Sequence, residues 1–319
     1  MNRRDFLEHT LKLSLGALAL PISSCSLMKP KRKHQKYGVR AIDSSQEVSF
    51  VTGKDAERIT EEAINLLGGM RAFVSRGDKV IIKPNMGWAR TPEQAATTNP
   101  SVIKKVIEMA HNAGASRVSV TDLPCNSASI TFERTGIQKA VLEVDGHIYY
   151  PQSHRVKEMK LERPIWLPLD KKEIKKWPVF TDFVEADVII NIPIAKHHNL
   201  SQLTLGMKNW YGAISGRRNQ LHQAIHASIA SLANHFRPHL SIIDAIRILL
   251  RNGPTGGLIQ DTKVMDTVIA SRNQVAADAV ATTLFGLKPE DIGFIKVAAE
   301  FGLGESDLSK LSVTRKVLG

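Results

Sequence analysis

The chain has 319 residues, enough for one large α/β unit or two domains, and its 43% hydrophobic and 23% charged residues are ordinary globular proportions that exclude a disordered, collagenous or integral-membrane character for the whole. Its two cysteines, Cys25 and Cys125, cannot supply the four thiolates of a cysteine-ligated iron-sulfur cluster or a four-cysteine zinc site. The formal charge of +12 gathers in two stretches, 25–40 with six basic residues and no acid and 155–176 with eight basic against four acidic, and no recognition module accompanies it, so no nucleic-acid partner is expected.

The N-terminus reads Arg3-Arg4-Asp5-Phe6-Leu7, then the apolar run Leu13 to Leu20. This resembles a twin-arginine signal, which implies passage through the twin-arginine export machinery. The uncharged stretch from Leu13 to Met28 is 16 residues, short of the ~20 that cross a bilayer, as suits a cleaved signal. Ile22-Ser23-Ser24-Cys25 resembles a lipobox with Cys25 as the lipidated first mature residue; an ordinary cleaved signal with an incidental cysteine is the other reading. The expected organisation is a signal at 1–24, a lipidated cysteine with a basic tether at 25–40, and an α/β domain at 41–319. The cations of the tether can lie on anionic headgroups or simply be solvated.

Within the body, residues 55–67 carry helical spacing of Ala56, Ile59, Ala63, Ile64 and Leu67, stopped by Gly68-Gly69. Val80-Ile81-Ile82 predicts a strand that delivers Lys83-Pro84-Asn85, Asn99-Pro100 opens a helix to about Ala113, and Arg117 to Val120 predicts the next strand, ending at Asp122. Residues 145–180, rich in proline, aromatics and bases, read as an irregular or antiparallel insertion. A strand at 187–192 then leads to Lys196, His197 and His198, a helix spans about 220–234, the strand from Leu240 ends at Asp244, and a late helix runs from Gln274 to Phe285. The predicted fold class is α/β: a mostly parallel sheet flanked by helices, with polar residues at the C-terminal strand ends where ligands bind in such sheets.

Chemistry-bearing residues cluster at those ends. Lys83 and Asn85, with Thr98 and Asn99 opening a helix, can form an anion or nucleotide-like cofactor site, or can be a strand end with proline turns. Lys196, Lys208 and Asn209 extend the same basic set. Six of the eleven histidines fall within residues 197–239. His222 and His226, four apart on one expected helix, would share a face and reach one metal ion, whereas each taken singly reads as a buried, hydrogen-bonded histidine. Gln223 stands where a zinc protease needs glutamate. Asp122, Asp244 and Asp278 are candidate bases, ligands or orienting groups, and Cys125 lacks an assignable activating base.

Lys83-Pro84-Asn85, Thr98-Asn99-Pro100, Gly114-Ala115, Lys196 with His198, Leu205 to Asn209 with Gly212, His222, Asp244, Gly253-Pro254 and Ala277-Asp278 together resemble, over about residues 45–305, the family called domain of unknown function 362. That resemblance implies an α/β fold and a shared site without a settled reaction. The order His198, Lys208, His222 also resembles nickel-pincer lactate racemase, in which a strand-end histidine, a cofactor-holding lysine and a later metal-binding histidine follow one another. Two functions are carried forward. One is an exported, lipid-anchored enzyme, of oxidoreductase or isomerase type, acting on an anionic small molecule with a bound metal or nucleotide-like cofactor, with His198, His222, Lys208 and Asp244 as catalytic candidates. The other is a non-catalytic binding or assembly lipoprotein for an anionic ligand.

Overall fold

The structure, a computed structural model, describes residues 43–319. The signal, the lipobox with Cys25 and the tether lie outside the described residues. Among the described residues no helix is long and apolar enough to cross a membrane.

The first half follows its apolar patterning. Strand β1 (Glu47–Thr52) leads into helix α1 (Ala56–Asn65), which the Asp55 carboxylate caps by accepting from the N–H groups of Glu57 and Arg58. Strand β2 (Lys79–Pro84) is followed by α2 (Pro100–Asn112), where Asn99 caps the first turn and Pro100 supplies a preset φ. Gly114, at φ +99°, stops α2 before β3 (Arg117–Val120). Two short helices, α3 (Ala128–Arg134) and α4 (Ile137–Leu142), connect to β4 (His147–Ile148).

The basic insertion is an antiparallel hairpin, β5 (Val156–Leu167) and β6 (Lys172–Phe180), forming its own two-stranded sheet. One face buries Leu161, Ile165, Leu167, Ile174 and Trp177, while Trp166 and Leu169 stay exposed. A short α5 (Asp182–Glu185) returns the chain to β7 (Val188–Ile192), β8 (Ile194–His198) and β9 (Gln202–Thr204). Then come α6 (Gly206–Asn209), α7 (Ile225–His235), β10 (Leu240–Leu249), β11 (Thr262–Ser271), α8 (Gln274–Thr282), α9 (Gly293–Glu300) and β12 (Ser312–Val317).

The main sheet runs β12-β1-β11-β10-β7-β2-β3-β4, with β8 and β9 joined to it through β10. Its pairs from β10 through β4 are parallel, and β11 pairs antiparallel with both β10 and β1, so the sheet is mixed and mostly parallel. Burial on both faces explains the unbroken apolar runs of the central strands: Ile81 and Ile189 pack into one core, and Val80, Ile82, Val188 and Ile190 into the other.

Three predicted elements differ: the strand expected to end at Asp244 runs on to Leu249, residues Ile194–His198 form a strand of their own, and the region 220–234 is not one helix. The helix expected over 220–234 is a 3₁₀ segment, Arg218–Ala224, followed by α7, with Ala224 at φ −133° and ψ 54° between them. That non-helical residue breaks the register on which a shared His222/His226 face depends.

Candidate functional site

Three strand ends and the loop after β9 converge on a cavity of about 280 Å³ whose lining includes Asn85, Asp122, Cys125, Lys196, His198, Lys208, Tyr211, Arg218 and His222. Beneath it lies a polar brace. Lys83, at the end of β2, is fully buried; its Nζ lies 2.7 Å from Asp122 Oδ1 and donates to Pro84 O (2.8 Å) and Asn209 Oδ1 (3.2 Å). Burial lowers the Lys83 pKa while Asp122 pulls it back up. Asp122 Oδ2 also accepts the Met86 N–H at 2.6 Å. Gly212 closes over this ion pair, since a Cβ there would overlap Asp122 Oδ1 and come within 2.8 Å of Lys83 Nζ.

Asn209 ties the brace together. Its Oδ1 accepts from Lys83 and Asn85, and its Nδ2 donates to Asn191 Oδ1 at 2.8 Å and to the carbonyls of Lys83 and Pro84. Asn191 in turn donates to Gly206 O. Lys196, from β8, spends its three donors on neutral acceptors: Ala96 O (2.6 Å), Pro254 O (3.2 Å) and Asn85 Oδ1 (3.3 Å). Without a directly bonded carboxylate, burial brings it down to about 7.

Lys208 is different. It sits on α6, which Asp278 anchors by accepting the N–H groups of Gly206 (2.7 Å) and Met207 (2.9 Å) with its two oxygens. Gly206 is required there, because a Cβ would lie 2.8 Å from Asp278 Oδ1. Lys208 Nζ lies 3.6 Å from the Tyr211 ring centroid, the residue is 7% exposed, and among the described residues its amine has neither a hydrogen bond nor an ion pair. Burial first, then Lys196, lowers its pKa to about 7.

His198 completes the lining with a fixed tautomer. Its Nδ1 accepts the N–H groups of Leu200 (3.1 Å) and Ser201 (3.3 Å), so the neutral ring carries its proton on Nε2. Burial and the Lys208 charge hold its pKa down at about 3, keeping the ring neutral. His222 stacks on it with ring centroids 6.3 Å apart and makes a T-shaped contact with Tyr211, centroids 5.3 Å apart; burial lowers its pKa too. Arg218 donates to the carbonyls of Leu123, Tyr211 and Pro124 and reaches Cys125 Sγ at 3.8 Å, adding a third basic group to the lining beside Lys196 and Lys208.

The remaining sequence candidates serve as supports. Thr98 Oγ1 accepts from Asn85 N and donates to Ile192 O, and Asn99 caps α2 while giving its own N–H to Asp244. Asp244 lies outside the cavity, each oxygen taking a backbone N–H, from Asn99 and Ile246, and burial raises its pKa to about 7. His226 lies against Gly293, away from the cavity that His222 lines. The broken register separates the pair, and among the described residues no three His, Cys, Asp or Glu side chains gather as a metal-holding group. Tyr211, Arg218 and Asn191 are site residues that the sequence alone does not mark; the aromatic step Trp210-Tyr211 next to Lys208 is the available signal for the first.

The family described as domain of unknown function (DUF362) matches residues 80–283, and the chain belongs to it. A thylakoid-associated protein of Synechocystis sp. is 27% identical over 255 residues, covering 74% of this chain and 72% of that one. Among solved structures, the lactate racemase apoprotein of Thermoanaerobacterium thermosaccharolyticum aligns at 12% identity and TM-score 0.44, covering 76% of this chain and 57% of that one. A Thermotoga maritima protein aligns at 10% identity and TM-score 0.43, covering 74% and 60%. The chain thus spans less than two-thirds of the length of either solved structure.

Proposed function

We propose that this DUF362 member is an exported, lipid-anchored enzyme whose cleft receives an anionic small molecule at Lys208. The observation that carries the reading is the Lys208 amine, which lines the cavity and among the described residues has neither a hydrogen bond nor an ion pair, while Lys83 and Lys196 are saturated by protein acceptors. A buried cation without a partner costs stability and is retained where a ligand supplies the missing charge. The Nε2–H of His198 is a second donor to that ligand, and Lys196 and Arg218 add a positive field.

Calorimetric titration of the mature protein with oxalate and with inorganic phosphate tests the reading. One equivalent is expected to bind with net proton uptake, and Lys208→Met is expected to weaken binding by more than about tenfold. Equal affinity in the variant would remove Lys208 from the site.

The address is supported by the twin-arginine pattern and lipobox, and the thylakoid association of the Synechocystis relative accords with a membrane location. In membrane fractionation Cys25→Ala is expected to move the protein from the membrane to the soluble fraction, and Arg3→Lys with Arg4→Lys to leave unexported precursor. Retention of the Cys25→Ala protein on membranes would refute the anchor.

A further inference from the structure

We propose that Lys208 is a nucleophile that forms a Schiff base with an anionic aldehyde or 2-oxo acid. The inference deepens the anion-cleft reading and rests on it.

The fold treats its three buried lysines differently. An ammonium has three N–H donors and no acceptor. Lys83 meets Asp122, Pro84 O and Asn209, and Lys196 meets Ala96 O, Pro254 O and Asn85, so the amines of both are engaged by protein acceptors. Among the described residues, Lys208 is offered only the face of Tyr211. A lysine needed simply as a charge would be paired or would extend to water. This one is enclosed beside like charges, conditions that favour the neutral amine and leave its lone pair free. Burial and the neighbouring Lys196 lower its pKa to about 7, which enlarges the share of neutral, nucleophilic amine at neutral pH.

The same surroundings select the electrophile. An iminium restores a positive charge to a cleft that already holds Lys196 and Arg218, so the product is stabilised when the substrate brings its own carboxylate or phosphate. In the addition step the Nζ lone pair attacks the carbonyl carbon, and the C=O π pair moves to oxygen, which is protonated as nitrogen loses a proton. The carbinolamine then expels its hydroxyl with a proton as water, leaving C=N; amine and carbonyl give imine and water with no change of oxidation state. His198, whose Nδ1 is occupied by the N–H groups of Leu200 and Ser201, presents Nε2–H as the donor to the developing oxygen.

Reductive trapping tests this. The mature protein is incubated with glyoxylate and cyanoborohydride, and adducts are located by intact mass and peptide mapping. One adduct per chain is expected at Lys208, formed more than about tenfold faster than at exposed lysines and blocked by oxalate, which has no reactive carbonyl. Acetaldehyde, lacking the anion, should show no such preference, and Lys208→Arg, which keeps the charge, should give no selective adduct. Labelling spread evenly over surface lysines overturns the proposal. Oxalate binding without a Lys208 adduct overturns the covalent step while sparing the anion-cleft reading, and absence of both overturns the two together.

Discussion

Replacing Gly212 by alanine is expected to destabilise the fold by about 3–5 kcal/mol, as much as removing one partner of a buried ion pair. The added Cβ enters the space of Asp122 Oδ1 and Lys83 Nζ, and both side chains are nearly inaccessible, at 3% and 0% exposure, so neither can swing aside into water. Asp122→Ala should cost a similar amount by a different route. It leaves the Lys83 ammonium buried without its anion and deprives the Met86 N–H of its acceptor. Lys83→Met combined with Asp122→Ala should recover part of that loss, since the orphaned cation is then gone. Urea unfolding midpoints measure all three. A loss below about 1 kcal/mol for Asp122→Ala would assign the pair the weight of a surface salt bridge and sink the account.

The sequence revealed the central sheet more readily than its margins, for a physical reason. Val80-Ile81-Ile82 and Val188 to Ile192 are buried on both faces, so each forms an apolar run that needs no context to be recognised. β1, β11 and β12 are held in place by pairing partners far along the chain, as in Val48 opposite Ser271 and Val313, and local pattern says little of such pairing. The 3₁₀ segment from Arg218 misled the spacing argument because histidines four apart share a face only while the helix is continuous. In the site, the position of Lys83 at the end of β2 was legible, whereas Lys196 lies in the middle of β8, a strand that the sequence reading did not predict. The saturation of the two was not legible, because Asn209 and Ala96, which satisfy them, lie 126 and 100 residues away. The distinction that matters chemically, between two spent lysines and a free one, exists only once the chain has folded.

Lys208→Met is expected to weaken anion binding by more than about tenfold and yet to make the ligand-free protein more stable, by on the order of 4 kcal/mol at pH 7. The sign follows from the direction of the shift. The folded-state pKa of about 7 lies below the 10.5 of a free lysine, so between these values the unfolded chain holds a proton that the folded chain lacks. Stability therefore rises with pH from 7 to 10.5, by roughly 1.4 kcal/mol per unit at most for one group, and the deficit is full below 7. Lys196 adds a second contribution in the same window. Asp244 and Asp278 act in the opposite sense: raised to about 7 from 3.8, they are favoured protonated in the folded state and reduce stability as pH climbs across that range. These four groups together place their least favourable contribution near pH 7, where the free cleft is most in need of a compensating anion. Thermal unfolding of wild type and Lys208→Met across pH 5–10 separates the parts. The variant should lose one proton's worth of slope above pH 7 and leave the acid side unchanged, and added oxalate should raise the melting temperature of the wild type alone. A variant that melts lower than wild type at pH 7 without ligand would show that Lys208 supports the fold, and would remove the reason for regarding its unpaired amine as a ligand site.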